Sequence, residues 1–175
     1  MANILRSLVL TSLLVFGLTG ESVAEEQWRA VSNTDRSFFV DMPGVPKHSS
    51  SKGKTSSGSD YTNDTYLVEL VNEAFVVTTT VYPADVDTSN PRRNLQSGLD
   101  NARKGMDDKT VSGVKWATIQ GLPSVDAVGV RGGYAIRILS LMDGRRIIVL
   151  TYAGPPGSAN SSNATRFVES FRIAR

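Results

Sequence analysis

The sequence predicts an α+β domain, a single antiparallel sheet of about six or seven strands packed with two helices in an α/β/α arrangement. Three observations predict it. Segments rich in Thr, Val, Ile, Tyr and Phe recur between residues 36 and 153 with turn signals between them, and strands joined by tight turns must run antiparallel. Two stretches switch to a helical period, one with Leu95, Leu99, Ala102 and Met106, the other with Ala164, Phe167, Val168 and Phe171. The composition is globular, 40% hydrophobic and 21% charged over 175 residues, and cysteine is absent, so the core alone must stabilise the domain.

The first residues read as an export signal. Arg6 gives a positive n-region, residues 7–18 form an apolar run, and Ser22-Val23-Ala24 places small residues before Glu25 as at a cleavage site. The run is too short to span ~30 Å of hydrocarbon comfortably. No cysteine follows it, which excludes a lipid-modified N-terminus. The sequence therefore predicts a secretory signal peptide at residues 1–24 and one domain at residues 25–175. The domain is expected to be a monomer, periplasmic or secreted, with no membrane span after cleavage. The net charge of +2 is mild and does not predict nucleic-acid binding, which shows as clustered Lys and Arg.

Within the domain, Trp28 falls in a short lead-in and residues 36–42 read as a first strand. Pro43 and Pro46 stop it, because proline cannot donate to a ladder. Residues 47–60 hold six serines and three lysines (Lys47, Lys52 and Lys54) and no aliphatic side chain. With almost nothing to bury, they read as a flexible loop. Residues 61–71 and 74–82 form paired strands around Asn72-Glu73, and Pro83 ends the second.

Asn90-Pro91 opens the first helix, since Asn caps and proline suits the first helical position. Arg103 and Lys104 suit its C-terminal end, and Gly105 is a stop. Residues 111–120 and 124–131 are strands flanking Gly121-Leu122-Pro123, and Gly132-Gly133 follows. Residues 134–142 and 145–153 form a hairpin about Asp143-Gly144, expected as a type I′ turn with Ile138 facing Val149 and Leu139 facing Ile148. Alternation then groups Ile136, Ile138, Ile147 and Val149 on one face and Leu139, Leu141, Ile148 and Leu150 on the other. The second arm is apolar almost throughout, which places it centrally in the sheet. Ser161 or Ser162 caps the last helix.

Trp28, the run Phe38-Phe39-Val40-Asp41-Met42-Pro43 with Pro46, the Gly121-Leu122-Pro123 turn and the closing Ala164-Thr-Arg-Phe-Val-Glu-Ser-Phe resemble the PsbP-like fold. That fold is shared by the extrinsic photosystem II protein, a yeast nuclear-import factor that binds Ran, and many exported bacterial proteins. The resemblance implies an α/β/α domain with a non-enzymatic accessory or partner-binding role. It carries over no metal site, no cofactor and no Ran-binding surface, because the matching residues maintain the fold and perform no chemistry.

Candidate chemistry is sparse. His48 is the only histidine and reads as a loop residue, and no G-x-S-x-G accompanies it. Asp85 and Asp87, and Asp107 and Asp108, are oxygen donors of the type calcium or manganese takes, but they lack the spacing of a calcium loop and read as caps and solvated surface. Arg92 and Arg93 stand in the first turn of a helix against its dipole. They read either as an anion or acidic-partner contact or as a solvated pair offset by Asp85 and Asp87. With Lys47, Lys52 and Lys54 they are the candidate contact residues; no catalytic residue, cofactor ligand or metal ligand is assigned. The expected function is an exported, non-enzymatic domain that binds a protein partner. The alternatives are a small-ligand or anion carrier using Arg92, Arg93 and Arg137, and a hydrolase working with carboxylates alone.

Overall fold

The computed structural model describes residues 27–174; the expected signal peptide lies outside them. Ten strands and two helices follow in order: β1 (Arg29–Ser32), β2 (Phe38–Met42), β3 (Lys47–Lys54), β4 (Asp60–Glu69), β5 (Ala74–Val81), α1 (Pro91–Lys104), β6 (Ser112–Ile119), β7 (Leu122–Arg131), β8 (Tyr134–Asp143), β9 (Arg146–Gly154), α2 (Ser162–Glu169) and β10 (Arg172–Ile173). The main sheet has seven antiparallel strands in the order β3-β4-β5-β9-β8-β7-β6. Two meanders, β3 to β5 and β6 to β9, meet at the β5–β9 pair, and α1 connects them. The expected α+β architecture is present. The first strand joins a separate three-stranded sheet, β1-β2-β10, because its partners come from the lead-in after Trp28 and from the chain's end.

The faces of the main sheet are covered differently. One carries the main core: Tyr66 and Val68 of β4, Phe75 and Val77 of β5, Leu139 and Leu141 of β8, and Ile148, Leu150 and Tyr152 of β9. The small sheet and α2 close this face. Phe167 packs edge-on to Phe75 at 5.4 Å between centroids, and Phe171 lies 6.0 Å from Phe38. Both rings are at most 2% exposed, Phe167 from within α2 and Phe171 from just beyond its C-terminal cap. On the opposite face α1 lays Leu95 and Leu99 over Val125, Ala127 and Met142. Just past the end of the helix, the Met106 sulfur would stand 2.9 Å from a Cβ at position 129; glycine there gives it room. Asn90 caps α1 by accepting the Arg93 N–H at 3.0 Å, and Ser161 caps α2 through Ala164 N–H at 3.2 Å.

Three local expectations are corrected. The Ser/Lys-rich segment 47–60 is no flexible loop: Lys47–Lys54 is an edge strand paired with β4 from Lys47↔Leu67 to Lys54↔Asp60. Backbone hydrogen bonds to a preformed neighbour need no apolar side chain, and polar, lysine-bearing residues suit an exposed sheet edge. The β8–β9 turn is Gly144-Arg145, with Asp143 opposite Arg146. Gly144 has φ +57 and Arg145 stays outside positive φ, the pattern of a turn with glycine first, whereas type I′ needs both central residues positive. Pairing therefore slips by two, Ile138↔Thr151 and Leu139↔Leu150, an even number that leaves both faces as expected. In the β4–β5 hairpin, Leu70 N–H donates to Glu73 C=O at 2.8 Å, so Val71-Asn72 forms the tip in place of Asn72-Glu73.

Candidate functional site

The expected contact residues do not converge. Arg93 pairs with Asp87 at 2.5 Å, and the Arg92 guanidinium sits 4.2 Å from the Trp116 ring centroid. Each cation at the start of α1 is thus offset locally. Lys47 reaches Glu69 at 3.9 Å and Lys54 reaches Asp60 at 2.8 Å, while Lys52 lies exposed along β3. Arg137 is held bidentate by Asp126, with the closest contact at 2.7 Å.

The carboxylates seen in the sequence serve the fold. Asp107 accepts the Gly132 and Gly133 N–H groups at 2.8 and 3.1 Å, fastening the β7–β8 turn. Those two bonds pull its pKa below the ordinary value. Asp108 takes Thr110, Asp85 takes Ser57 and Thr55, and Asp87 takes Ser89 as well as Arg93. Among the described residues no group of three or more His, Cys, Asp or Glu side chains could hold a metal ion.

A cleft of about 420 Å³ opens elsewhere, at one end of the core-bearing face. Strand alternation supplies its floor. Thr62, Asp64 and Tyr66 project from β4, Thr79 and Val81 from β5, and Arg146 from β9, all on the same side because Asp64 lies opposite Thr79, Thr79 opposite Ile148 and Val81 opposite Arg146. The β1–β2 loop forms the overhang with Asn33, Thr34 and Asp35. It is tied down by Thr34 N–H donating to the Tyr66 hydroxyl at 3.1 Å and by Arg146 reaching Asp35 at 2.5 Å. Here the small sheet stops, and the face that is core further along meets solvent.

The lining is rich in acceptors. Asp35 is paired with Arg146 and Asp60 with Lys54, while Asp64 takes His48 and Ser50. Burial acts to raise the Asp35 carboxyl, but hydrogen bonds from Ser37, the Arg146 charge and Asn33 hold it below the ordinary carboxylate value. Lys54 lowers Asp60. Asp64 uses Oδ1 for both His48 Nε2, at 3.1 Å, and the Ser50 hydroxyl, and His48 stacks on Tyr66 with centroids 4.7 Å apart. This places Ser, His and Asp together in the wrong order for a nucleophilic relay: the carboxylate bridges the other two, and the imidazole does not contact the hydroxyl. In the cleft wall, Thr79 is 6% exposed, and its Oγ1 is the one buried side-chain oxygen or nitrogen among the described residues that lacks a hydrogen-bond partner.

Of the expected contact residues Lys54 and Lys52 border the cleft: Lys54 pairs with Asp60, and Lys52 stands opposite Thr62 and also acts on Asp60. The sequence held one usable signal. Asp64 keeps the two-residue period of Tyr66 and Val68, which puts a carboxylate on a core face. Asp35, Thr79 and Arg146 come from distant segments and carry no local motif.

No protein-family model matches the chain, and no curated protein matches it. Among solved structures it is similar to the solution structure of cyanobacterial PsbP (CyanoP) from Synechocystis sp. PCC 6803. The TM-score is 0.53 at 11% identity, over 89% of this chain and 98% of that one. The fold is PsbP-like.

Proposed function

We propose that this PsbP-like domain is an exported accessory module that binds a protein partner through the cleft at the end of its main sheet and performs no reaction of its own. The observation that carries the reading is the cleft itself. It is a concave, acceptor-rich site on a rigid sheet, with a loop fastened over it and a volume in the ~300–1,000 Å³ range typical of binding sites. Support for binding over carboxylate hydrolysis comes from the direction of the pKa shifts. A general acid has to be held above its ordinary value so that it keeps a proton, yet Asp35 and Asp60 are both pulled below. The anion-carrier alternative is weakened by the dispersal of Arg92, Arg93 and Arg137, each engaged by a different neighbour.

Affinity capture from the exported fraction with the wild-type chain and with Asp64→Lys tests the reading. A defined partner retained by the wild type and lost on charge reversal is the expected result. Turnover of a glycoside or ester that Asp64→Asn abolishes, or recovery of the same proteins on both baits, would refute it. Fusion of residues 1–24 to a reporter active only outside the cytoplasm tests the export half separately.

A further inference from the structure

We propose that His48 makes the charge of the cleft depend on pH, so that recognition of a partner at Asp64 is stronger when the imidazole is neutral and weaker when it is protonated. The inference rests on the reading of the cleft as a binding site and adds a control over that site.

The counter-groups of the three lining carboxylates differ in kind. Asp35 pairs with Arg146 at 2.5 Å and Asp60 with Lys54 at 2.8 Å, with Lys52 also acting on Asp60. Guanidinium and ammonium groups ordinarily keep their charge at neutral and mildly acidic pH. Asp64 is matched instead by an imidazole, with His48 Nε2 3.1 Å from its Oδ1. Histidine is the side chain whose ordinary change of charge falls between about pH 5 and 8. His48 is the only one in the chain. Two of the pairs are therefore fixed, and the third gains or loses one positive charge.

The geometry lets this charge change without breaking the contact. A neutral imidazole carries a proton on one ring nitrogen, and the charged form carries one on each. With the proton on Nε2, neutral His48 donates to Asp64; a second proton on Nδ1 turns the same hydrogen bond into an ion pair. The ring is held from another side by Tyr66, with centroids 4.7 Å apart and planes 21° from parallel. Tyr66 links it to the overhang, since its hydroxyl accepts the Thr34 N–H at 3.1 Å. The His48 side chain is 43% exposed and that of Asp64 35%, which leaves the imidazole open to solvent and the carboxylate open to the cleft.

The remaining charges around His48 do not share its range. On β3, alternation places Ser50, Lys52 and Lys54 on the same face as His48 and turns Lys47 to the other, where it meets Glu69 at 3.9 Å. From β4 the titratable groups are Asp60, Asp64 and Tyr66; from the β1–β2 loop comes Asp35, held by Arg146 of β9. Pro43 to Pro46, ahead of β3, bring no charge. Carboxyl, phenol, ammonium and guanidinium groups ordinarily titrate outside about pH 5–8, so the imidazole sets the local charge there. A half-exposed ion pair acts through solvent, so the modulation is a few-fold and not all-or-none.

NMR spectroscopy of the isotopically labelled full chain between about pH 5 and 8 tests the proposal without a partner. The ring protons of the single histidine give one titration curve. The amide signals of Asp64, Tyr66 and Thr34 should follow that curve, and His48→Gln should remove the step from all three. Amides that stay flat, or that titrate equally in His48→Gln, would overturn the proposal. A second arm measures the affinity of the partner captured with the wild-type chain. It should fall by about two- to fivefold between about pH 7.5 and 5.5 at low ionic strength. His48→Gln should keep the higher affinity at both pH values, and His48→Lys, a permanent cation, the lower. Equal wild-type affinity at the two pH values, or the same fall in His48→Gln, would also overturn it. The outcome is distinguishable from failure of the functional reading. A partner lost on Asp64→Lys but bound equally at both pH values defeats the role of His48 and keeps the cleft. Coupled titration in a chain that captures no partner defeats the cleft as a protein-binding site and keeps its pH-dependent charge.

Discussion

Thr79→Val replaces a hydroxyl with a methyl at a residue that is 6% exposed, in the third strand of a seven-stranded sheet. Valine has the same branching at Cβ and suits a strand at least as well. What changes is the oxygen. A buried polar atom without a partner costs ~1–3 kcal/mol, because folding strips its water and returns nothing. Removing that oxygen relieves the cost, and the methyl gains apolar contact with neighbours such as Ile148, which stands opposite in β9. We expect a net stabilisation of about 1 kcal/mol. For a domain of this size that corresponds to a rise of roughly 2–4 °C in melting temperature. Urea unfolding should show a higher midpoint with an unchanged slope, the sign of a native-state effect and not of a shift in denatured-state compactness. A loss of about 1 kcal/mol or more would refute the reasoning, since it would mean that Thr79 Oγ1 has a hydrogen-bond partner in solution.

Further perturbations test other parts of the account. Phe167→Ala empties a fully buried site between α2 and Phe75, and should cost ~3–5 kcal/mol in chemical denaturation; a change under ~1 kcal/mol would mean that α2 is peripheral. Glu73 accepts from the Tyr152 hydroxyl at 2.5 Å and from Asn163 at 2.8 Å, joining the β4–β5 turn to the last helix, so Glu73→Ala should destabilise by about 1–3 kcal/mol. Asp87 is held at about 2, below the ordinary 3.8, by the Ser89 hydroxyl and amide and then by Arg93. A depressed carboxylate contributes stability that is complete above the unfolded-state value and is lost as pH falls through the folded-state value. The Asp87 carboxyl resonance should therefore titrate near pH 2, and Asp87→Asn should flatten the acid dependence of stability between 3.8 and 2; a midpoint near 4 would contradict the Ser89 and Arg93 contacts.

The fold was legible in the sequence wherever burial left a period. Helical spacing located α1 and α2 with their caps, and alternation assigned the faces of β8 and β9 despite the error in the turn. Parity survives a slip of two, which is why Leu139, Leu141, Ile148 and Leu150 share the core although their partners differ from those expected. The edge strand β3 was not legible, because it forms on its neighbour's backbone and its serines and lysines face solvent. The second sheet was missed for a related reason. Strand β10 is two residues long and becomes a strand only against β2, over a hundred positions earlier.

The cleft was legible least of all. Its lining comes from the β1–β2 loop, β4, β5 and the start of β9, brought together by register and not by local spacing. The sequence marked Arg92 and Arg93, with Lys47, Lys52 and Lys54, as candidate contacts, and cations in the first turn of a helix oppose its dipole unless acids such as Asp85 and Asp87 offset them. The structure offsets each arginine within its own neighbourhood, by a ring and by a carboxylate. The informative oddity was an acid in step with core residues, Asp64, combined with a buried hydroxyl whose lack of a partner shows only in three dimensions.

Amide chemical-shift mapping on the isotopically labelled full chain, titrated with the partner recovered by affinity capture, tests the central claim most directly. The account predicts saturable shifts confined to residues 33–35, 60–66, 79–81 and 146, abolished by Asp64→Lys. Shifts centred on α1 and Trp116, or on the outer edge of β3, would place binding elsewhere and contradict it.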